Sequence, residues 1–363
     1  MFTTHRSVLT TLLLSTITPW MPQPASAQWS VTNLNPSNAL QSQAHGVSGF
    51  KQVGGVGING VYRASMWSGD ANSWVDLHPA GASESSASAC AGSQQVGWVR
   101  VGTQTSASLW SGSAATWVNL NPAGSFGSYA LGVSGTQQVG SAFIGATRRA
   151  SLWTGSAASW IDLNPAGSTE SEAYSISDNQ QAGYARFGNL QHAGVWSGSA
   201  LTWVDLHPSG AMRSTAYATT GSQQVGYIDP GNGFPRASLW SGTAASWVDL
   251  HPAIGSAYRS EALGAFGSYQ VGYVQVGSVE KASVWSGTAA SWEDLSVALT
   301  GSWVHTRAEG IWSDEAMLYV VGSGMNLGTN RWEALLWTRP VPAPSALLLQ
   351  SLGGLIAARR RRS

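Results

Sequence analysis

The chain has 363 residues, enough for two or three ordinary domains, but its composition is uniform, with 10% charged residues, 43 Gly and 19 Trp. Such a composition favours many short strands buried between neighbours and excludes a disordered chain. Five of the 18 basic residues lie outside positions 28–340, whereas all 18 acidic residues lie inside, so this part is near −5 and lacks the basic surface that nucleic-acid binding requires.

The first segment in chain order, residues 1–27, has the pattern of a secretory signal peptide. His5 and Arg6 precede an apolar core at 8–17, and residues 25–27 (Ala-Ser-Ala) form a small-residue cleavage pattern. We therefore expect an exported protein whose mature chain begins at Gln28.

A repeat of about 43 residues then fills positions 28–340. Each unit contains a conserved Ala, a Gln-Val-Gly-like strand, an Ala-Ser-Leu-Trp strand and a Trp-Val-Asp-Leu strand that ends before Pro. Four short strands in a unit of this length are typical of one blade of a β-propeller. The conserved Ala occurs seven times, at Ala44, Ala87, Ala130, Ala173, Ala216, Ala262 and Ala308.

The two ends of the repeat array complement each other. The seventh unit stops after Trp337 without a fourth strand, while residues 33–36 (Asn-Leu-Asn-Pro) match the fourth strand at 76–79 (Asp-Leu-His-Pro). We predict an all-β fold, a seven-bladed β-propeller of four-stranded blades whose last blade is completed by the N-terminal strand. Cys90 is the only cysteine, so no internal disulfide can form, and the repeat alignment places it in the core.

The repeat unit resembles a known family. Residues 149–153 (Arg-Ala-Ser-Leu-Trp), 160–163 (Trp-Ile-Asp-Leu), 167–168 (Gly-Ser) and 181–183 (Gln-Ala-Gly) resemble the extracellular HAF repeat. The His-Ala-Phe of that family is reduced here to His-Ala at 192–193. The resemblance implies an exported, propeller-like protein and assigns it no particular activity.

At the C-terminus, residues 341–345 (Val-Pro-Ala-Pro-Ser) are followed by an apolar stretch at 346–358 and by four arginines at 359–362. In this order of parts, residues 341–363 resemble a PEP-CTERM sorting signal. The resemblance implies processing by an exosortase-like enzyme, transient inner-membrane association, and display outside or on the surface of a Gram-negative bacterium. Ala343 stands where the family has glutamate, and the apolar stretch at 346–358 is shorter than the roughly 20 residues that span a bilayer. An amphipathic or frayed C-terminus is the alternative. The residues that carry the signal are Val341, Pro342, Pro344, Arg359, Arg360, Arg361 and Arg362.

Histidines that follow the fourth strand suggest metal binding at first sight. His78, His207 and His251 each lie two residues after an aspartate, but Asn121 and Asn164 fill the same position in other units. Interchange of His and Asn before Pro indicates a hydrogen bond at a strand end, not a metal ligand. We predict no metal and no cofactor.

Basic side chains recur just before the third strand in five units. They lie beside the loops that join the second and third strands, which vary most between units. Our functional hypothesis is that this face binds an anionic or hydroxyl-rich polymer such as a surface polysaccharide; the favoured alternative is that these side chains pair with the aspartate of the fourth strand. The predicted ligand-binding residues are Arg63, Arg149, His192, Arg236 and Lys281, with Tyr184, Tyr227, Tyr273 and Trp98 for stacking.

Together these features favour a binding or structural module of the cell envelope or exopolysaccharide matrix. The alternative is a propeller enzyme, a polysaccharide lyase or glycosidase, which would need carboxylates that break the repeat symmetry and converge. No nucleophile elbow or phosphate-binding loop occurs, so we assign no catalytic residue and favour binding. Carboxylates that break the symmetry are spread over several units, at Glu84, Glu170, Glu172, Asp229, Asp314 and Glu315.

Overall fold

The repeats fold into seven four-stranded antiparallel sheets, arranged as the blades of a ring. The computed structural model describes residues 28–341; the predicted signal peptide, and the predicted sorting signal from Pro342 onwards, lie outside the described residues. The prediction of a seven-bladed β-propeller is confirmed. Within residues 28–341, no helix is long and apolar enough to cross a membrane.

Each blade uses consecutive strands, numbered from the channel outwards, and only the last blade borrows a strand from elsewhere. The strands are β1 (Ser30–Asn33); in blade 1, β2 (Gln41–Ser48), β3 (Lys51–Ile58), β4 (Val61–Trp67) and β5 (Val75–Asp76); in blade 2, β6 (Glu84–Ala91), β7 (Gln94–Val101), β8 (Gln104–Trp110) and β9 (Val118–Asn119); in blade 3, β10 (Ser125–Ser134), β11 (Gln137–Ile144), β12 (Thr147–Trp153) and β13 (Ile161–Asp162); in blade 4, β14 (Glu170–Ser177), β15 (Gln180–Phe187), β16 (Leu190–Trp196) and β17 (Val204–Asp205); in blade 5, β18 (Arg213–Thr219), β19 (Gln224–Asp229), β20 (Arg236–Trp240) and β21 (Val248–Asp249); in blade 6, β22 (Ala257–Phe266), β23 (Tyr269–Val276), β24 (Val279–Trp285) and β25 (Glu293–Asp294); and in blade 7, β26 (Trp303–Ser313), β27 (Met317–Asn326) and β28 (Arg331–Pro340).

The fourth strands are shorter than the sequence suggested. In blade 1 the strand covers only two residues, because the side chain of Asp76 accepts a hydrogen bond from the backbone N–H of His78 at 2.8 Å and turns the chain. A single 3-10 turn precedes each of these short strands, and one more follows blade 6. The turns are Ala71–Ser73, Ala114–Thr116, Ala157–Ser159, Ala200–Thr202, Ala244–Ser246, Ala289–Ser291 and Leu295–Ala298.

The N-terminal strand closes the ring. β1 pairs with β28, with Val31 opposite Trp337, and becomes the outer strand of blade 7. Leu34 follows it and is buried against Trp67 and Leu336. Closure joins the first and last parts of the repeat array, because the first strand of the chain completes the sheet of the last blade.

The hydrophobic cores lie between neighbouring blades. One of them joins Val53 and Leu77 of blade 1 to Cys90 and Trp110 of blade 2. The predicted core position of Cys90 is confirmed, and burial raises the pKa of its thiol to about 12. One tryptophan of each third strand, the last residue of that strand in blades 1 to 6, is fully buried in the same way. These residues are Trp67, Trp110, Trp153, Trp196, Trp240, Trp285 and Trp337.

Every inner strand carries a β-bulge directly after the conserved Ala. In blade 1, Ala44 lies opposite Gly54 and Gly46 lies opposite Val53, so His45 is the extra residue. Gly54 is required there because a Cβ atom would overlap the carbonyl oxygen of Gln43. The same register shift and the same glycine occur in all seven blades. A bulge re-aims the extra side chain, here towards the central channel.

The two ends of the ring differ in which loops they carry. We call the end at which the inner strands begin the upper face; the loops that join second and third strands lie there too, because Gln41 pairs with Gly57. The loops that join inner and second strands form the lower face. Val341 also lies at the lower face, where its backbone N–H donates to the carbonyl oxygen of Ala316.

Candidate functional site

The seven bulge residues form a ring around the central channel, and this ring does not follow the repeat. On a scaffold of equivalent blades, a position that varies this strongly is not needed for packing and can carry binding chemistry. In the sequence, each ring member is the variable residue that follows the conserved Ala of its unit. The repeat motifs by themselves do not mark this position as functional. The members in chain order are His45, Ser88, Leu131, Tyr174, Tyr217, Leu263 and Glu309.

His45 and Glu309 lie on adjacent blades and share a cavity of about 580 Å³ at the upper mouth of the channel. Burial raises the pKa of Glu309 from 4.5 to about 7; the nearby Arg307 opposes this effect, and the Glu261 and Glu280 carboxylates add to it. Burial lowers the pKa of His45 from 6.5 to about 4. At neutral pH this wall therefore offers a neutral imidazole and a carboxyl group that holds its proton more readily than an exposed glutamate does.

The opposite side of the ring is aromatic. Tyr174 and Tyr217 lie on adjacent blades with ring centroids 5.1 Å apart in an edge-to-face arrangement, and both line the channel. Burial, with nearby carboxylates, raises the pKa of both phenols. Tyr184 and Tyr227, predicted to stack on a ligand, are only 4% and 9% exposed and pack beside this pair at 6.1 and 5.8 Å.

Four of the six carboxylates that break the symmetry lie near the upper ends of strands in blades 2, 4 and 5. Each pairs with an arginine, whereas Asp314 and Glu315 lie on the lower face. As predicted, these residues are spread over different blades, whereas the sequence pattern did not indicate Glu261, Glu280 or Glu309. The pairs are Arg100–Glu84 at 2.8 Å, Arg186–Glu170 at 3.4 Å, Arg148–Glu172 at 2.8 Å and Arg213–Asp229 at 3.2 Å.

Hydrogen bonds between blades hold the mouth in shape. Arg307 of blade 7 donates two bonds of 2.7 Å to Glu280 of blade 6. Glu172 of blade 4 accepts a bond of 2.8 Å from Ser141 of blade 3. Such charge-assisted bonds fix the positions of both partners. Glu309 forms no ion pair with any residue of the described range, which leaves its carboxyl group available to a ligand.

The predicted ring of basic residues lies farther out, on the third strands, and each member pairs with an aspartate of the fourth strand. This is the pairing that the sequence offered as the alternative, and such half-exposed pairs contribute little stability. Ligand binding by these residues stays a prediction. The pairs are Arg63–Asp76 at 2.8 Å, Arg149–Asp162 at 2.6 Å, His192–Asp205 at 2.7 Å, Arg236–Asp249 at 3.0 Å and Lys281–Asp294 at 2.7 Å.

The His and Asn residues after the fourth strand make the predicted structural hydrogen bond. Nε2 of His78 donates to the carbonyl oxygen of Ala82 at 3.1 Å, which leaves Nδ1 to accept from the Ser85 hydroxyl at 2.7 Å. Asn164 accepts from Ser171 in the same way at 2.6 Å. Among residues 28–341, no group of three or more His, Cys, Asp or Glu side chains is placed to hold a metal ion.

Ring, bulges and closure together define a seven-bladed β-propeller, and solved structures resemble it at low sequence identity. TolB from Acinetobacter baumannii has a TM-score of 0.47 at 10% identity, over 73% of this chain and 62% of its own. TolB from Agrobacterium tumefaciens has 0.47 at 11% identity, over 62% and 89%. A puromycin-hydrolyzing peptidase from Mycobacterium tuberculosis has 0.52 at 14% identity, over 86% and 55%.

These similarities concern the fold alone. The chain spans less than two thirds of the length of the Acinetobacter TolB and of the mycobacterial peptidase. No protein-family model matches the sequence, and no curated protein matches it.

Proposed function

We propose that this protein is an exported, surface-associated binding module of the cell envelope or exopolysaccharide matrix, and that it binds a hydroxyl-rich ligand such as a surface polysaccharide at the upper mouth of its channel. The ring of bulge residues carries this proposal. His45 and Glu309 supply hydrogen-bonding groups on one side, and Tyr174 and Tyr217 supply aromatic surface on the other. Hydrogen-bonding groups facing aromatic rings suit the hydroxyls and C–H faces of sugars.

The charges at the mouth indicate how such a ligand is held. The arginines there already pair with carboxylates, so binding rests on hydrogen bonds and depends little on salt. The outer ring that includes Arg63 and Arg149 would act differently. An anionic polymer bound there would compete with the paired aspartates, and its affinity would fall steeply as salt increases.

The export and sorting parts of the proposal rest on sequence patterns. Residues 1–27 have the order of a signal peptide, the repeats resemble the HAF family, and residues 341–363 have the order of a PEP-CTERM signal, for which the partner is an exosortase-like enzyme. Val341 lies at the lower face. An anchor that follows it would leave the upper mouth facing away from the membrane.

Glycan-array binding by the full-length chain, at low and at high salt, tests the proposal. We expect salt-insensitive binding that weakens about tenfold in each of Glu309→Gln and Tyr217→Ala, because each removes one contact with the ligand. A combined Arg63→Gln, Arg149→Gln and Arg236→Gln variant is the matched control and keeps full affinity. Loss confined to that control variant would move the site to the outer ring, and absence of any bound glycan would reject polysaccharide binding.

A second candidate is an enzyme that acts on polysaccharide. It is favoured by Glu309, because a carboxyl group with a pKa of about 7 in a cavity is what a general acid needs. Glycans that bind on the array are incubated with the protein, and the products are followed by mass spectrometry. Turnover that disappears in Glu309→Gln would support catalysis, whereas intact glycans would leave binding as the function.

A further inference from the structure

The lower mouth of the channel has a different chemistry from the upper mouth. It opens into a cavity of about 670 Å³ to which all seven blades contribute. Its lining, within the part of the chain that the structure describes, contains no Asp, Glu, Lys, Arg or His. The two mouths of one channel therefore differ sharply: ionisable groups line the upper one, and uncharged side chains line the lower one.

A second ring that does not follow the repeat forms the lower mouth, three residues after the bulge ring. Two adjacent members are aromatic, and most of the others carry hydroxyl groups. The hydroxyls of Ser48, Ser134 and Ser177 make no hydrogen bond with any residue of the described range and border the cavity. The seven members in chain order are Ser48, Ala91, Ser134, Ser177, Thr220, Phe266 and Trp312.

The aromatic side of this ring continues outwards as a platform. Trp312 lies 6.3 Å from Phe266, 5.5 Å from Tyr319 and 6.4 Å from Phe50, measured between ring centroids. Phe50 is 66% exposed, although its equivalents in other blades are small and polar, such as Ser93. Core packing does not account for an exposed aromatic cluster that is confined to three neighbouring blades.

We propose that the lower mouth is a second ligand site, which takes the end of a neutral oligosaccharide. Trp312 and Phe266 would pack against the C–H face of a sugar ring, and the hydroxyls of Ser48, Ser134 and Ser177 would hydrogen-bond to its hydroxyl groups. The uncharged lining leaves a charged sugar without a counter-charge, which selects neutral ligands. This site lies in the same channel, three residues further along each inner strand than the bulge ring, and does not depend on the function proposed at the upper mouth.

Isothermal titration of the full-length chain with cellohexaose and with maltohexaose tests this site. We expect binding of at least one of them, unchanged between low and high salt. Trp312→Ala weakens it at least about tenfold, because the platform is lost. Ser134→Arg, which fills the mouth and leaves the aromatic packing in place, weakens it to a similar degree.

Phe126→Ala is the matched control, since this exposed aromatic residue lies on the upper face and is 75% exposed. It should leave the affinity unchanged. Circular dichroism melting confirms that each variant is folded. The site is overturned if neither oligosaccharide binds, or if binding survives both Trp312→Ala and Ser134→Arg. Binding of the wild-type protein to phosphatidylcholine vesicles, without binding of either oligosaccharide, would also overturn the proposed sugar site.

Discussion

At the scale of single residues, Glu309 shows how position within a repeat separates structure from function. Residues that repeat, such as Asp76 and its equivalents, hold turns and strand ends, and His can replace Asn where both supply the same acceptor. Blade 7 has Glu309 at the position where the other blades have His, Ser, Leu or Tyr. Within residues 28–341, Glu309 has no ion-pair partner. Burial in the channel destabilises the charged form of its carboxyl group and so raises its pKa.

This cost gives a pH-dependent prediction for Glu309→Gln. Because the folded-state pKa of about 7 exceeds the unfolded value of 4.5, the folded protein binds more protons between these values, and the free energy of unfolding falls as pH rises through this window. The variant cannot ionise. We expect the substitution to leave the free energy of unfolding unchanged at about pH 4 and to raise it by about 1 to 2 kcal/mol at about pH 8. The gain is smaller than the full pKa difference would give, because the open channel screens part of the effect.

Urea unfolding at both pH values measures this difference. His45 has the opposite effect, because its lowered pKa removes stability as pH falls from 6.5 towards 4, but it is present in both proteins and cancels. Glu315→Gln, at an exposed position on the lower face, is the control and should change stability at neither pH. Equal stability of Glu309→Gln and wild type at the higher pH would mean that water reaches this carboxyl group freely.

At the scale of the element, the bulged inner strand and its facing glycine act as one unit. The bulge brings the carbonyl oxygen of Gln43 over Gly54, where no side chain fits. The glycine of the Gln-Val-Gly motif is therefore needed for a close contact between two strands and not for a turn. This contact is what directs His45 towards the channel, so the scaffold motif and the variable ring residue depend on each other.

Gly54→Ala tests this dependence. We expect a loss of more than about 2 kcal/mol in the free energy of unfolding, because backbone must move to admit the methyl group. Gly255→Ala is the control, since a Cβ atom there meets open space, and it should change stability by less than about 0.5 kcal/mol. Thermal unfolding of both variants gives the comparison. Similar costs for the two would show that the bulge can relax.

At the scale of the whole molecule, ring closure makes the N-terminal strand part of the core. Leu34 occupies in blade 7 the position that Leu163 occupies in blade 3, and both are completely buried. Closure also places blades 1 and 7 side by side, which brings His45 and Glu309 into one cavity. The candidate upper site therefore exists only in the closed ring.

Leu34→Ala and Leu163→Ala should destabilise the protein equally if closure is complete. We expect each to cost about 2 to 5 kcal/mol, as buried Leu to Ala changes do, within a single cooperative transition. Calorimetric unfolding measures both. A much smaller cost for Leu34→Ala, or an early separate transition, would mean that the closing strand detaches before the ring unfolds.

The all-β class, the seven blades, the closing strand, the core position of Cys90 and the hydrogen-bonding role of the His and Asn residues could all be predicted from the repeat pattern. These features follow from periodicity and from contacts that recur in every unit, so the comparison of seven copies within one chain is enough to find them. The alternative pairing of Arg63 with the aspartate of the fourth strand could also be foreseen, because cross-strand neighbours are set by local register.

Which variable residues lie next to one another could not be predicted from the repeat pattern. The periodic pattern does not show that the residue after each conserved Ala is a bulge aimed into the channel, because a bulge depends on pairing between strands. Nor does it bring Glu309 of the last blade beside His45 of the first, or Trp312 beside Phe50. Those neighbours are created when the ring closes, since closure joins positions that lie at opposite ends of the chain.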